Sequence, residues 1–210
     1  LFVKTDDPEA ATKITAAIAN RAKQRNLMSL ENAVSSLNQS VSIKLHRVPG
    51  TLSYVCDGGR RRAKFLASGS STPVDKNELP LGSVYSFKLQ NTSEVPLHVT
   101  AILLSNDGGI KVIFPKLNEN DPLAGGGAVE PKETIRLVTT PPAGREVLKV
   151  IITRRHTDFS FLETVAVRRS GGSALERLLG QSGYKSRSEP LPPDAPDQWG
   201  VITFDLLVTN

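Results

Sequence analysis

Residues 97–115 read LHVTAILLSNDGGIKVIFP. The run that begins at Val95 ends in Ala101-Ile102-Leu103-Leu104, apolar at every position. A strand with one wet face alternates apolar and polar side chains, so an unbroken apolar run predicts a central strand covered on both faces. Asn106-Asp107-Gly108-Gly109 then supplies residues that tolerate positive φ, a strong hairpin signal. Ile110 to Phe114 returns, and Pro115 stops it. A second run of the same type spans Val147 to Thr153. Two such runs in one open sheet would leave apolar faces uncovered, which predicts two packed antiparallel sheets.

Around these runs, Tyr85, Phe87 and Leu89 alternate with polar residues, as do Ile135, Leu137 and Thr139. A final strand spans 199–208, with Ile202, Phe204, Leu206 and Val208 on its buried face. The composition agrees with a turn-rich β protein: 16 glycines and 14 prolines, with 39% hydrophobic and 22% charged residues.

The first 79 residues read differently. Asp6-Asp7-Pro8-Glu9 is a helix-start signature, and Ala11, Ile14, Ile18 and Ala22 follow at helical spacing, predicting a helix over 8–25. Ser29 is a candidate cap for a second short helix with Leu30, Ala33, Val34 and Leu37 as its stripe. Alternation over 41–45, 52–56 and 62–66, with turns at Pro49-Gly50 and 57–59, predicts three strands. Residues 69–80 look like a linker. The expected fold is therefore mainly β with a minor α+β part: an immunoglobulin-like antiparallel β-sandwich over 80–210, preceded by a small helix-plus-hairpin unit over 1–79. Ser173 is a candidate cap for a further short helix with Leu175, Leu178 and Leu179.

Net charge is +5, a modest excess that does not by itself indicate nucleic acid. The one cysteine excludes an intrachain disulfide and suits a reducing compartment, so a cytoplasmic location is favoured. No apolar run reaches the ~20 residues that span a bilayer, so no membrane is expected as partner. The chain begins at Leu1, which suggests a fragment or a processed product.

Catalytic signals are weak. Cysteine catalysis needs a base beside the thiol, and Cys56 could use only His46, His98 or His156. Cys56 alternates with Leu52 and Tyr54, which reads as a small buried hydrophobe. The histidines and the cysteine have no metal-ligand spacing, so neither metal nor cofactor is expected. Asn118-Glu119-Asn120-Asp121 offers oxygen ligands without the alternation of an EF-hand loop. Gly125-Gly126-Gly127 lacks the residues that make a phosphate loop. The basic clusters Arg60-Arg61-Arg62, Arg154-Arg155 and Arg168-Arg169 read as solvated charge, or as sites for an acidic partner or a protease that cuts at basic residues. Function on sandwich scaffolds usually lives in loops, which makes Asn106, Asp107, Asn118, Asn120 and Asp121 the candidate binding residues.

The order "LHVTAILLSNDGGIKVIFP", a Gly-bearing loop, "PKETIRLVTTPPAGREVLKVIITRRHTDFSFLE" and the tail "SRSEPLPPDAPDQWGVITFDLLV" resembles a known family. It is similar to the domain of unknown function that follows the peptidase domain in bacterial, especially cyanobacterial, caspase-like proteins. The resemblance covers about residues 80–208. It implies a non-catalytic accessory or regulatory domain, acting in docking or substrate positioning, whose partner is the peptidase domain of the same polypeptide or another protein. In that family the catalytic His and Cys sit in the preceding domain, and neither its His-Gly nor its Asp-x-Cys segment occurs here. Those peptidases cut after Arg or Lys, which makes Arg60, Arg61 and Arg62 a candidate self-processing site. The alternatives are a free-standing carbohydrate- or peptide-binding module, a cysteine peptidase using Cys56 with a histidine, and a nucleic-acid binder using the arginine clusters.

Overall fold

The computed structural model describes residues 8–57, 60–74, 77–115, 121–126, 128–129, 136–139, 142–159, 162 and 198–210. These hold one α-helix, α1 (Ala10–Met28), a 3-10 turn (Ser36–Gln39) and twelve strands. The strands are β1 (Val41–Val48), β2 (Gly50–Asp57), β3 (Arg60–Ala67), β4 (Thr72–Pro73), β5 (Glu78–Pro80), β6 (Val84–Asn91), β7 (His98–Leu104), β8 (Ile110–Phe114), β9 (Ala128–Val129), β10 (Arg136–Val138), β11 (Gly144–Thr153) and β12 (Trp199–Thr209).

Two five-stranded sheets face each other. One has the order β10-β6-β1-β4, with β9 also on β6; the other runs β5-β12-β11-β7-β8. All pairings are antiparallel except β5 with β12. The expected mainly-β, two-sheet architecture is present. Its sheet order does not by itself establish an immunoglobulin-like arrangement.

The central runs are apolar on both faces because each face meets a different layer. Val99, Ala101 and Leu103 of β7 and Leu148, Val150 and Ile152 of β11 point between the sheets, onto Tyr85, Phe87 and Leu89 of β6. Ile102, Leu104, Val147 and Ile151 point outward, under Leu27 and Leu30 at the end of α1 and under Phe159 and Leu162. Each such side chain contributes roughly 1.5–3 kcal/mol on burial. The second layer on this sheet is thus supplied by the N-terminal segment together with Phe159 and Leu162.

The described residues before Pro80 contribute strands to both sheets. β1 pairs with β6 along its full length, from Val41 opposite Asn91 to Val48 opposite Val84. The stretch 69–80 is no free linker: β4 pairs with β1, and β5 pairs with β12 in the other sheet. The helix extends to Met28, and its last turn is what docks, through Gln24 and Leu27. The stripe of Ile14 and Ile18 is exposed, at 44% and 65%. The second short helix is only a 3-10 turn, capped by Ser35 Oγ accepting from the Leu37 amide. Leu30 and Leu37 enter different cores and Val34 is exposed, so the three never share a face.

Polar side chains fasten the layers. Lys149, on the helix-facing side of β11, is 1% exposed, and its ammonium donates to Leu30 O (3.1 Å) and Thr203 Oγ1 (2.9 Å). Asn32 donates to Trp199 O (2.7 Å), and Asn38 Oδ1 accepts from the Val201 amide (2.7 Å). Asn32 and Asn38 thereby engage the beginning of β12, far from its last residues, which pair with β5. Fully buried Asn91 holds the crossover between the sheets by donating to Val95 O and Leu123 O.

Candidate functional site

Strand register divides the sandwich into two ends. At one end lie the turn 105–109, residues 142–144, the end of β12, the crossover 80–84, Thr139 and the end of β1. The contacts that gather them are Gly144 opposite Val208, Leu81 N to Thr209 O, Ser83 N to Thr139 Oγ1 and Val48 opposite Val84. At the other end lie the 3-10 turn, the start of β7, Thr153 to Asp158 and Trp199, brought together by Thr153 opposite both His98 and Trp199 and by Asn38 on Val201.

The first end carries two projections. β2 and β3 pair with each other over eight residues and with neither sheet, forming a two-stranded arm that follows directly on β1 through Pro49. Ser68 N donates to Pro49 O at its base (3.0 Å). Eight residues of strand span about 26 Å. Register and pleat put positions 51, 53, 55, 57, 60, 62, 64 and 66 on one face of the arm and 50, 52, 54, 56, 61, 63, 65 and 67 on the other. Among the described side chains, half-buried Leu52 and Phe65 lie opposite each other in the second set. Val55 (47%) and Leu66 (71%), both in the first set, are exposed.

The second projection is the first half of α1. Arg21 and Gln24 mark where the helix passes the 105–109 turn: buried Gln24 donates to Ser105 O (2.6 Å), accepts from Arg21 Nη1, and Arg21 passes beside Gly108. Residues 10–20 precede this anchor and span about 16 Å of helix. The arm leaves from one outer layer and α1 forms the opposite one, so about 20 Å of stacked sheet and helix separates their roots.

Positive charge concentrates on α1 as a whole and on residues 50–67. α1 has Lys13, Arg21, Lys23 and Arg25 and no acid; residues 50–67 have Arg60, Arg61, Arg62 and Lys64 against Asp57. The whole chain is +5, so everything outside α1 and residues 50–67 is net negative, although the projecting first half of α1 itself carries only Lys13.

Between them, the 105–109 turn is fixed. Asp107 Oδ1 accepts from the Gly109 amide (2.8 Å), and Asn106 Nδ2 donates to Pro142 O and Ala143 O (3.0 and 3.1 Å). Gly108 (φ 96) supplies the positive φ of the turn. Gly144 (φ 152) lets Asn106 approach, since a Cβ there would lie 2.5 Å from Nδ2. Burial, and then the nearby charge of Asp107, push the Glu146 carboxyl above the usual carboxylate range. Asn106 Nδ2 and Asp107 Oδ1 are therefore engaged in holding the turn, with the Asp107 side chain at the surface. Asp121 is exposed on the stretch that pairs with Leu97, near the opposite end, and Asn118 and Asn120 lie outside the described residues. The expected binding loops are not brought together among the described residues.

Cys56, expected as a buried hydrophobe, is exposed on the arm, which among the described residues pairs with neither sheet. His98 and His156 stack edge to face at the opposite end (centroids 5.6 Å apart). His46 lies within β1, with both ring nitrogens buried and no hydrogen-bond partner. Among the described residues no three His, Cys, Asp or Glu side chains gather as a metal cluster would require. No described helix is long and apolar enough to cross a membrane. Arg60 to Arg62 occupy the β3 end beside the arm's turn, and Arg154 and Arg155 are exposed at the opposite end of the sandwich. Arg168 and Arg169, and the candidate helix after Ser173, lie outside the described residues.

Sequence reasoning missed the basic end because its parts are distant along the chain. The signal was present: a helix without one acid, and a strand opening with three arginines. Comparison with protein-family models, with curated proteins and with solved structures returns no match.

Proposed function

We propose that this chain is a non-catalytic docking module, an accessory or regulatory domain of a caspase-like cysteine peptidase that holds the peptidase domain or positions its substrates. The observation that carries the docking part is the arm formed by β2 and β3. An isolated two-stranded ribbon is marginal in water, and this one spends eight paired residues per strand outside both sheets while exposing Val55 and Leu66. A domain that had only to fold would not keep such an element; a domain that grips a partner would. The peptidase as partner rests on the resemblance of residues 80–208. Arg60 to Arg62, beside the turn of a ribbon that opens readily, suit a site of self-processing. The test is cleavage of Arg- and Lys-reporting peptides by this chain and by a longer polypeptide that carries it, with and without residues 50–67. The reading expects cleavage only by the longer polypeptide and a changed rate on deletion of the arm. Cleavage by the isolated chain that Cys56→Ala abolishes would overturn it.

A further inference from the structure

We infer that His98 and His156, at the end of the sandwich opposite the arm, hold a late divalent transition-metal ion, Zn2+ or Cu2+, between their imidazoles. The inference is independent of the docking reading. The two histidines lie far apart along the chain, without the spacing of a local metal motif. The sheet brings them together: His98 opens β7 directly opposite Thr153 of β11, and His156 follows three residues later. The backbone between is held in place. Thr153 Oγ1 donates to Arg155 O (2.7 Å), and the Arg154 amide donates to Gln198 O (3.2 Å). The two rings meet with centroids 5.6 Å apart and planes inclined at 78°. A zinc–nitrogen bond is about 2.0–2.1 Å and a ring nitrogen lies about 1.2 Å from its centroid, so two imidazoles on one tetrahedral ion have centroids about 5.3 Å apart. The observed separation matches this closely, and a small side-chain rotation closes the difference. An edge-to-face pair can take the same distance without an ion. This pair, however, lies at the surface: His156 is exposed and His98 half-buried, so the contact closes no core and an ion reaches it from solvent. Imidazole nitrogens select Zn2+ and Cu2+ over the oxygen-seeking Ca2+ and Mg2+. No third His, Cys, Asp or Glu joins the pair among the described residues. Water, or a donor from a partner, therefore completes the coordination, and binding is weaker than at a closed four-ligand site. Exposed Arg154 and Arg155, just before His156, weaken it further by repulsion.

The experiment is a calorimetric titration of Zn2+ into the metal-stripped intact chain carrying Cys56→Ser, because exposed Cys56 would offer a competing thiolate. One ion per chain is expected. His98→Ala and His156→Ala should each weaken binding at least tenfold, the lower end of what losing even an outer-shell partner of a metal ligand costs. Zn2+ should raise the Tm of the parent chain and of neither variant. His156 is exposed, so its replacement should leave the Tm of the metal-free chain unchanged. If His98→Ala does not fold, His98→Gln takes its place. Electron paramagnetic resonance of the Cu2+-loaded chain should show two imidazole nitrogens, reduced to one in His156→Ala. No saturable binding, binding that survives both histidine substitutions, or a Cu2+ signal with a single nitrogen donor in the parent chain would overturn the inference and leave the pair as an edge-to-face contact.

Discussion

Replacing Lys149 tests how the helix layer is held on the sandwich. Its ammonium is almost wholly buried beneath the turn after α1, with Leu30 O and Thr203 Oγ1 as acceptors. Lys149→Ala removes both bonds, each worth about 1.5–3 kcal/mol from a charged donor. It also relieves a desolvation penalty of several kcal/mol and leaves a cavity costing about 2 kcal/mol. The first two effects roughly cancel, so the net expected loss is about 2 kcal/mol, or about 4–8 °C in Tm for a chain of this size. Lys149→Met fills nearly the same volume without a charge and is expected within about 1 kcal/mol of the parent protein. Urea unfolding followed by fluorescence of Trp199, the single tryptophan, measures both. Burial holds the Lys149 pKa below the ordinary lysine value, and the charges of Glu31 and then Asp205 only partly restore it. The unfolded chain therefore binds the extra proton between the lowered value and about 10.4. Stability from this group rises with pH across that window, and Lys149→Met should abolish the rise. Equal losses of 3 kcal/mol or more in both variants would refute the reasoning, since the hydrogen bonds would then outweigh desolvation.

Other outcomes follow from the same geometry. Glu146 has a raised folded pKa, so its contribution to stability is full below about pH 4.3 and is lost as pH rises through the folded value; Glu146→Gln should flatten that part of a urea-midpoint profile. Gly144→Ala forces a Cβ against Asn106 at a positive φ and should cost about 2–4 kcal/mol in the same unfolding assay, whereas Asn106→Ala should cost only about 1–2 kcal/mol for two exchanged hydrogen bonds. Cys56 should react with a thiol reagent in the native protein about as fast as in urea, because the arm leaves it exposed; protection until unfolding would show that the arm is covered.

What the residues alone determined were the elements whose burial is symmetric or strictly periodic. The run Ala101 to Leu104 and the run Val147 to Thr153 announced two-sided cover, and Asn106 to Gly109 announced the hairpin between β7 and β8. Leu206 and Val208 fell on the buried face that alternation assigned them. Pattern says that a face must be covered but not by what. Only the tertiary structure decided that α1 and Leu30 cover the outer face of β11, and that β1 joins β6 across about forty residues of intervening chain. The same limit explains the misread helix stripe: Ile14 and Ile18 have core periodicity, but Gln24 and Leu27 fix where α1 meets the sheet, and the earlier turns pass beyond its edge. Asn106 shows the converse, a loop amide that composition marks for a ligand and that packing commits to Pro142 and Ala143. Local sequence sets propensity and the demand for burial; which surfaces meet, and which are left exposed for a partner, follows from long-range pairing that no short window contains.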